Sequence, residues 1–164
     1  MCWGGIPRAM SDSVSYGFAA ASGSNYSCGR CFQIQFDGGT HSGATAGAAA
    51  IKDKQMIIQV INNGGVANDQ FDLLIPGGGV GALNACATQW GMSDLGAQYG
   101  GFLSGCNGDA TCVKNKCTTV FANKPDLQAG CDWFLNWFHA ADNPTFKYAQ
   151  VNCPSDFKSK MGGL

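Results

Sequence analysis

The pattern of apolar and polar positions predicts several short strands separated by glycine-rich connections. Residues 31–36 (CFQIQF) alternate between apolar and polar side chains, and residues 55–62 (QMIIQVIN) are rich in β-branched residues. Three further segments are predicted strands: 71–76, 131–138 and 145–153. Short helices are predicted in three places: 12–21, 81–91 and part of 106–131. Short strands with irregular connections favour a mainly β protein, built as a small barrel.

One predicted strand contains a carboxylate in an otherwise apolar run, NDQFDLLIPGGGVG at residues 68–81. A buried charge is costly unless it is paired or used, so Asp72 has two interpretations. It is either bonded to backbone amides at the start of a strand, or it is a general acid that its apolar neighbours keep protonated. The residues alone leave both interpretations open. As an acid in glycoside hydrolysis, Asp72 would need a second carboxylate.

The glycines that follow Asp72 match a dinucleotide-binding fingerprint, G-x-G-x-x-A, at residues 77–82. However, the chain shows no alternation of strands and helices, and Pro76 directly precedes the glycines. A tight turn that requires positive φ is therefore the favoured interpretation.

Composition limits the class of protein. A chain of 164 residues is long enough for a single domain with a real core. The net charge of −1, with only 13% charged residues, gives no electrostatic reason to expect nucleic acid or an anionic membrane surface as a partner. No apolar run approaches the length of a membrane span.

Nine cysteines indicate disulfides and an oxidising compartment, and the odd number leaves at least one without a partner in the chain. The CGRC motif at residues 28–31 has the spacing of a redox pair or half a zinc site. No second pair with matching spacing follows, and the two histidines are far apart. We therefore expect structural disulfides, and no metal or organic cofactor.

Five segments occur in a fixed order: YGFAAAS (16–22), CGRCFQIQF (28–36), QVINNGGVANDQFDLLIPGGGVGALNAC (59–86), QYGG (98–101) and GCDWFLNWFHAADNPTFKYAQVNCP (130–154). Together they resemble glycoside hydrolase family 45, the fungal-type endo-1,4-β-glucanases, and the motifs FDLLIPGGGVG and WFHAADNPTF are long and specific. The resemblance implies a six-stranded double-psi β-barrel with short helices, long disulfide-linked loops and an open cleft. It also implies hydrolysis of cellulose or a related β-glucan with inversion.

The resemblance assigns Asp72 as the general acid. The family's general base lies in a TRYWDCC-like motif near the mature N-terminus, and this sequence contains no such motif. The chain thus resembles a single family domain, residues 1–164, without its opening segment, first barrel strand and signal peptide. We expect a secreted monomer that is weakly active or inactive as an isolated chain.

The family's cysteine pattern implies two disulfides, Cys31–Cys153 and Cys106–Cys131. Cys112 and Cys117 lie in what resembles an insertion, and we predict that they bond each other. The partners of the remaining cysteines would lie in the absent segment, so three are predicted to be unpaired: Cys2, Cys28 and Cys86.

The segment before the acid departs from the family pattern. The family commonly has GGDLGSNHFD, whereas this chain has GGVANDQFD. Val66 therefore replaces an accessory aspartate and Gln70 replaces a histidine. Asp69 is a candidate to substitute in part for the lost aspartate. Together with Ala20 and Asn63, these are the candidate substrate-binding residues.

Two non-hydrolytic alternatives remain at this stage. Expansin-type wall-loosening proteins share the barrel and the acid position but lack the base, although they carry a second domain that is absent here. The other alternative is a plain β-glucan-binding barrel. The product distinguishes them, because only an endoglucanase generates reducing ends.

Overall fold

The strands form one mixed sheet. The computed structural model describes residues 6–42, 45–67 and 69–161, and all structural statements refer to these ranges. The sheet order is β1-β2-β4-β3-β6, with β5 paired to β2. The strands are Arg8–Ala9 (β1), Val14–Ala21 (β2), Cys31–Thr40 (β3), Gln55–Asn63 (β4), Asp72–Leu73 (β5) and Pro144–Val151 (β6). The strands predicted at 31–36, 55–62 and 145–153 are confirmed, while that at 71–76 is reduced to two residues.

Six α-helices surround the sheet in the described ranges: Thr45–Ala50 (α1), Ala85–Trp90 (α2), Gly101–Gly105 (α3), Ala110–Val120 (α4), Pro125–Asn136 (α5) and Phe157–Met161 (α6). The carboxylate of Asp109 caps α4 by accepting hydrogen bonds from the backbone amides of Thr111 and Cys112. None of these helices has the length and apolar character needed to cross a membrane.

The helix predicted over 12–21 is wrong, because Val14–Ala21 form strand β2. All residues of β2 except Val14 are buried, and the strand pairs parallel with β4. A strand buried on both faces has no alternation of apolar and polar positions. Its run of small residues therefore showed no two-residue period.

The strand predicted over 131–138 is also wrong, because α5 covers Pro125–Asn136. Proline is favoured in the first turn of a helix, where its missing N–H costs nothing. Leu127, Gly130 and Cys131 are buried at the i, i+3, i+4 spacing of one helix face. The helix begins in the six residues before the run CDWFLNWF, at positions 125–130.

The main core lies between the sheet and α5. Alternate residues of β3 and β4 point into it: Phe32, Ile34, Phe36, Met56, Ile58 and Val60. Trp133 of α5 and Trp137 at the end of that helix cover this layer, and their rings stack with 5.3 Å between centroids. The Trp133 Nε1 donates to Ser15 Oγ at 3.0 Å, so its buried polar atom is satisfied.

The Cys31–Cys153 disulfide is present, as the family pattern predicted, with 5.1 Å between Cα atoms. It connects the first residue of β3 to Cys153, which lies two residues after the end of β6. The two strands are neighbours in the sheet but distant in the sequence, so the bond closes a loop with a sequence separation of 122.

The other two predicted disulfides are wrong. Cys106 bonds Cys112, and Cys117 bonds Cys131. Cys112 and Cys117 both lie on α4, where a separation of five residues turns the side chains about 140° apart. They therefore face different neighbours, the end of α3 and the middle of α5, and cannot reach each other.

The prediction of three unpaired cysteines is partly wrong. Cys28 is free and exposed, as predicted. Cys86, in contrast, is disulfide-bonded. Cys2 lies outside the described residues.

Removing the long-range disulfide should destabilise the fold more than removing a short-range one. A chain-entropy estimate gives a loss of about 5 kcal/mol for C31A/C153A, and about 2 kcal/mol for C106A/C112A as a matched control. Urea unfolding monitored by tryptophan fluorescence measures both. Equal losses in the two variants would contradict the proposed importance of the β3–β6 connection.

Candidate active site

Strand β5 places Asp72 opposite Ala20 on the central strand β2. The pairing continues with Leu73 opposite Ala19, and the Leu74 amide donates to the Phe18 carbonyl at 2.9 Å. Successive side chains of a strand point to opposite faces. Leu73 packs against the core, so Asp72 projects the other way and is exposed in a cleft.

The carboxyl of Asp72 accepts no hydrogen bond from any residue in the described part of the chain. The alternative interpretation, a carboxylate bonded to backbone amides, therefore has no support there. The cleft walls partly desolvate the carboxyl, which raises the pKa of Asp72 above its ordinary value. An accessible carboxyl with a raised pKa is suited to carry a proton and donate it.

The cleft has a volume of about 1270 Å³ and is open to solvent. Asp72 and the connection that precedes it form one wall, and the glycine turn at 76–81 continues it. Two large apolar side chains lie on the rim, with Leu83 90% exposed and Tyr99 69% exposed. Exposed apolar groups beside a mainly apolar cleft that contains a few polar groups are characteristic of a ligand-binding surface.

The glycines after β5 form a tight turn, as predicted. At Gly77, which has a φ of 82°, a Cβ atom would lie 2.6 Å from the Phe102 ring. At Gly79, with a φ of 113°, it would lie 2.9 Å from the Gln98 carbonyl oxygen. Only glycine fits both the backbone conformation and the space. This geometry accounts for the glycines without a bound nucleotide.

The charged groups that line the described cleft are carboxylates: Asp69, Asp72 and Asp142, with no lysine or arginine. Such a surface repels anionic ligands and suits a neutral one rich in hydroxyl groups. It therefore argues independently against a phosphate-bearing cofactor in this cleft.

Asp69 lies in the same wall and has a different environment from Asp72. Its Oδ1 accepts hydrogen bonds from the hydroxyls of Tyr26 at 3.0 Å and Tyr148 at 2.5 Å. These donors hold the pKa of Asp69 below its ordinary value, and the same contacts raise the pKa of Tyr148. Neither tyrosine is predictable from the sequence as a partner of Asp69, because they lie 43 and 79 residues away and no local pattern connects them.

Comparison with known families decides the classification. The family model described as "Glycosyl hydrolase family 45" matches residues 1–163. The chain belongs to glycosyl hydrolase family 45.

Two proteins with similar sequences support the family assignment. "Endoglucanase B" of Cellvibrio japonicus (strain Ueda107) is 47% identical over 178 aligned positions, which cover 99% of this chain and 35% of that protein. "Endoglucanase" of Cryptopygus antarcticus is 38% identical over 154 positions, covering 90% of this chain and 59% of that protein. The chain thus spans about one third to three fifths of the length of these relatives.

A solved structure supports the fold. The crystal structure of the cellulase from the Antarctic springtail Cryptopygus antarcticus matches with a TM-score of 0.72 and 36% identity, over 96% of this chain and 68% of that chain. The fold, which is mainly β with short helices, is therefore the double-psi barrel fold of family 45.

The structure brings together most of the residues singled out from the family pattern. Ala20, Val66, Asp69 and Gln70 all line the cleft with Asp72. Asn63 is not among the residues that line the cleft. Its amide donates to the carbonyls of Gly23 and Tyr26 at 3.2 and 3.3 Å, so it secures the 23–26 turn, and its neighbour Asn62 lines the cleft instead.

Replacing Asp72 with asparagine should stabilise the protein near neutral pH. The folded-state pKa is raised, so the folded protein holds this proton more tightly, and ionisation above that pKa costs stability. The gain of D72N over the wild type should appear at pH 7 and vanish below the ordinary pKa of about 3.9. Urea unfolding at pH 3 and pH 7 measures it. A loss of stability confined to pH 7 would instead show a bonded carboxylate.

Proposed function

We propose that this chain is the catalytic barrel of an endo-1,4-β-glucanase, which hydrolyses internal β-1,4-glucosidic bonds of cellulose or a related β-glucan. The observation that carries the proposal is the unbonded, partly desolvated carboxyl of Asp72 in an open cleft of a family 45 chain. The relatives named as endoglucanases and a cellulase support the substrate class. A cleft open to solvent favours attack within a long polymer over attack at its ends.

The proposed reaction is a single displacement with inversion. Asp72 donates its proton to the glycosidic oxygen as the bond from that oxygen to the anomeric carbon breaks. A second carboxylate removes a proton from a water molecule, whose oxygen attacks the anomeric carbon from the opposite face. In such enzymes the two carboxyl groups are about 6.5–9.5 Å apart, which leaves room for the water. Two carboxyl groups and water suffice, so the reaction requires no cofactor.

The cleft surface is suited to a neutral polysaccharide. The exposed ring of Tyr99 and the side chain of Leu83 offer apolar faces on which a sugar ring can pack. Gln70 supplies an amide donor and acceptor in the wall. The lack of lysine and arginine among the described lining residues fits a substrate without charge.

The second carboxylate is not assigned to a residue of this chain. The sequence contains no TRYWDCC-like motif, and Val66 stands where the family commonly has an accessory aspartate. We therefore expect the 164-residue chain alone to hydrolyse β-glucan weakly or not at all. The disulfides favour an oxidising, extracellular location, and we propose that the protein acts as a secreted monomer.

A non-hydrolytic role in β-glucan binding or wall loosening is the second candidate. It is favoured by one observation, the retention of the acid without the family's base motif. The cleft would then bind the polymer without cleaving it. Affinity electrophoresis in gels containing β-glucan would show retardation, with no change in the chain length of the substrate.

The test of the proposed acid compares D72N with the wild type on carboxymethyl-cellulose and barley β-glucan. D72N should lower the release of reducing ends at least about 100-fold, because an amide cannot protonate the leaving oxygen. D94N is a matched control, since Asp94 pairs with Lys116 and does not line the cleft. Where the wild type releases measurable reducing ends, equal release by D72N would refute the assignment.

The pH dependence of kcat/KM gives an independent test. Because Asp72 must be protonated, the rate should fall as the pH rises through its pKa, and this alkaline limb should lie above the ordinary value for aspartate. The limb should disappear in whatever residual activity D72N retains. A limb that persists unchanged would assign the acid to another residue.

A further inference from the structure

The connection before Asp72 is attached to the sheet at few points. Its described residues, 64–67 and 69–71, join β4 to β5. Near its start, the Gly64 amide donates to the Ala21 carbonyl at 2.9 Å and the Val66 amide donates to Ser22 Oγ at 3.0 Å. Beyond Val66, Asp69 supplies the only side-chain hydrogen bonds from this described stretch to the rest of the protein.

Tyr26 and Tyr148 each hold two residues of this connection. Their hydroxyls donate to Asp69 Oδ1, and the two hydroxyl oxygens are 2.6 Å apart. Their rings also pack edge-on against Phe71, with centroid distances of 5.6 Å for Tyr26 and 5.4 Å for Tyr148. Two residues within three positions of the acid are therefore fixed by the same pair of side chains.

The two tyrosines lie on backbone segments that are bonded to the rest of the fold. Tyr148 lies on β6, directly opposite Ile34 of β3, whose side chain is in the core. Tyr26 ends the short 3₁₀ turn, and its carbonyl accepts a hydrogen bond from the Asn63 amide at 3.3 Å. Both hydroxyls therefore come from segments whose backbone is bonded to neighbouring parts of the fold.

The backbone of Asp69 indicates that this attachment constrains the chain. Its φ of 59° lies in the left-handed region, which residues other than glycine seldom adopt, although aspartate tolerates it better than most. The hydrogen bonds to the two hydroxyls offset the cost of this conformation. Without them, Asp69 has no other described bond that would keep it there.

We propose that Tyr26, Asp69 and Tyr148 form a clamp that fixes the position of Asp72 in the cleft. The three are positioning residues, which act through the backbone and through Phe71 on an acid located three positions after Asp69. The inference rests on the proposed function, in which Asp72 donates a proton to a glycosidic oxygen. A proton donor displaced by about 1 Å loses much of its effect on the rate.

The test removes the hydroxyls and keeps the rings. Y26F, Y148F and the double variant retain the packing on Phe71, whereas D69A removes the acceptor and D69N keeps an amide oxygen in its place. The first readout is the pKa of Asp72, from a ¹³C NMR titration of its carboxyl, which needs no activity. We expect the pKa to fall towards the ordinary value of about 3.9 in the double variant and in D69A, because a released acid becomes better solvated.

Two further readouts separate positioning from other roles. Amide hydrogen exchange at residues 69–73 should become about tenfold faster in the double variant and in D69A. Where hydrolysis is measurable, kcat should fall about tenfold with little change in KM, and the alkaline limb should move to lower pH. D69N should give exchange rates, kcat and an alkaline limb close to those of the wild type, since its amide oxygen still accepts hydrogen bonds from the tyrosines.

Y16F is the matched control. Tyr16 Oη donates to Asp156 Oδ1 at 3.2 Å, so it is the same kind of pair, and neither residue lines the cleft. Loss of this hydrogen bond in Y16F should leave the pKa of Asp72 and the amide exchange of residues 69–73 unchanged. Thermal unfolding checks that each variant is folded, and the single variants provide the test should the double variant not fold.

The proposal is overturned by wild-type values of the Asp72 pKa and of amide exchange in the folded clamp variants. A rise in KM alone would also overturn it, since that pattern assigns the tyrosines to sugar binding. Failure of the proposed function has a different signature, which is full activity in D72N. The two hypotheses therefore fail on different measurements.

Discussion

The pairing of β5 with β2 is the contact on which the candidate site depends. It involves only two residue pairs, Ala19 with Leu73 and Ala20 with Asp72. The small side chains of β2 leave room beside the sheet, and β2 itself is held by pairing with β1 and β4. Because β5 is hydrogen-bonded to this central strand, it can hold a solvent-exposed side chain at a fixed position. The two-residue alternation then directs Leu73 to the core and Asp72 to the cleft.

The two carboxylates of this wall show how environment sets chemical role. Asp69 and Asp72 are three residues apart, yet one receives two hydroxyl donors and the other receives none from the described residues. Donors favour the charged form, whereas desolvation disfavours it, so the two pKa values move in opposite directions. Such a separation is a common basis for distinguishing a proton donor from a fixed charge. Here the fixed charge also holds the chain in place.

The sequence predicted the parts of this arrangement that depend on local patterns. Alternating and β-branched runs predicted β3 and β4, and an acid in an apolar run singled out Asp72, whose role as general acid came only from the family resemblance. Three of the wrong predictions, those for β2, for α5 and for the Cys112–Cys117 pair, have a common physical cause, which is the dependence on tertiary context. Strand β2 is buried on both faces, so it has no period. Helix α5 begins before its aromatic residues, and the pairing of Cys112 and Cys117 depends on which helix faces they occupy. The tyrosine contacts join distant segments and leave no local signal at all.

A structure of this chain with a bound cello-oligosaccharide tests the central claim most directly, because it does not depend on turnover. We expect a sugar chain along the cleft, with a glycosidic oxygen within about 2.6–3.2 Å of the Asp72 carboxyl, as a proton donor requires. An oligosaccharide bound on another surface, or in the cleft with every glycosidic oxygen beyond the reach of Asp72, would contradict it.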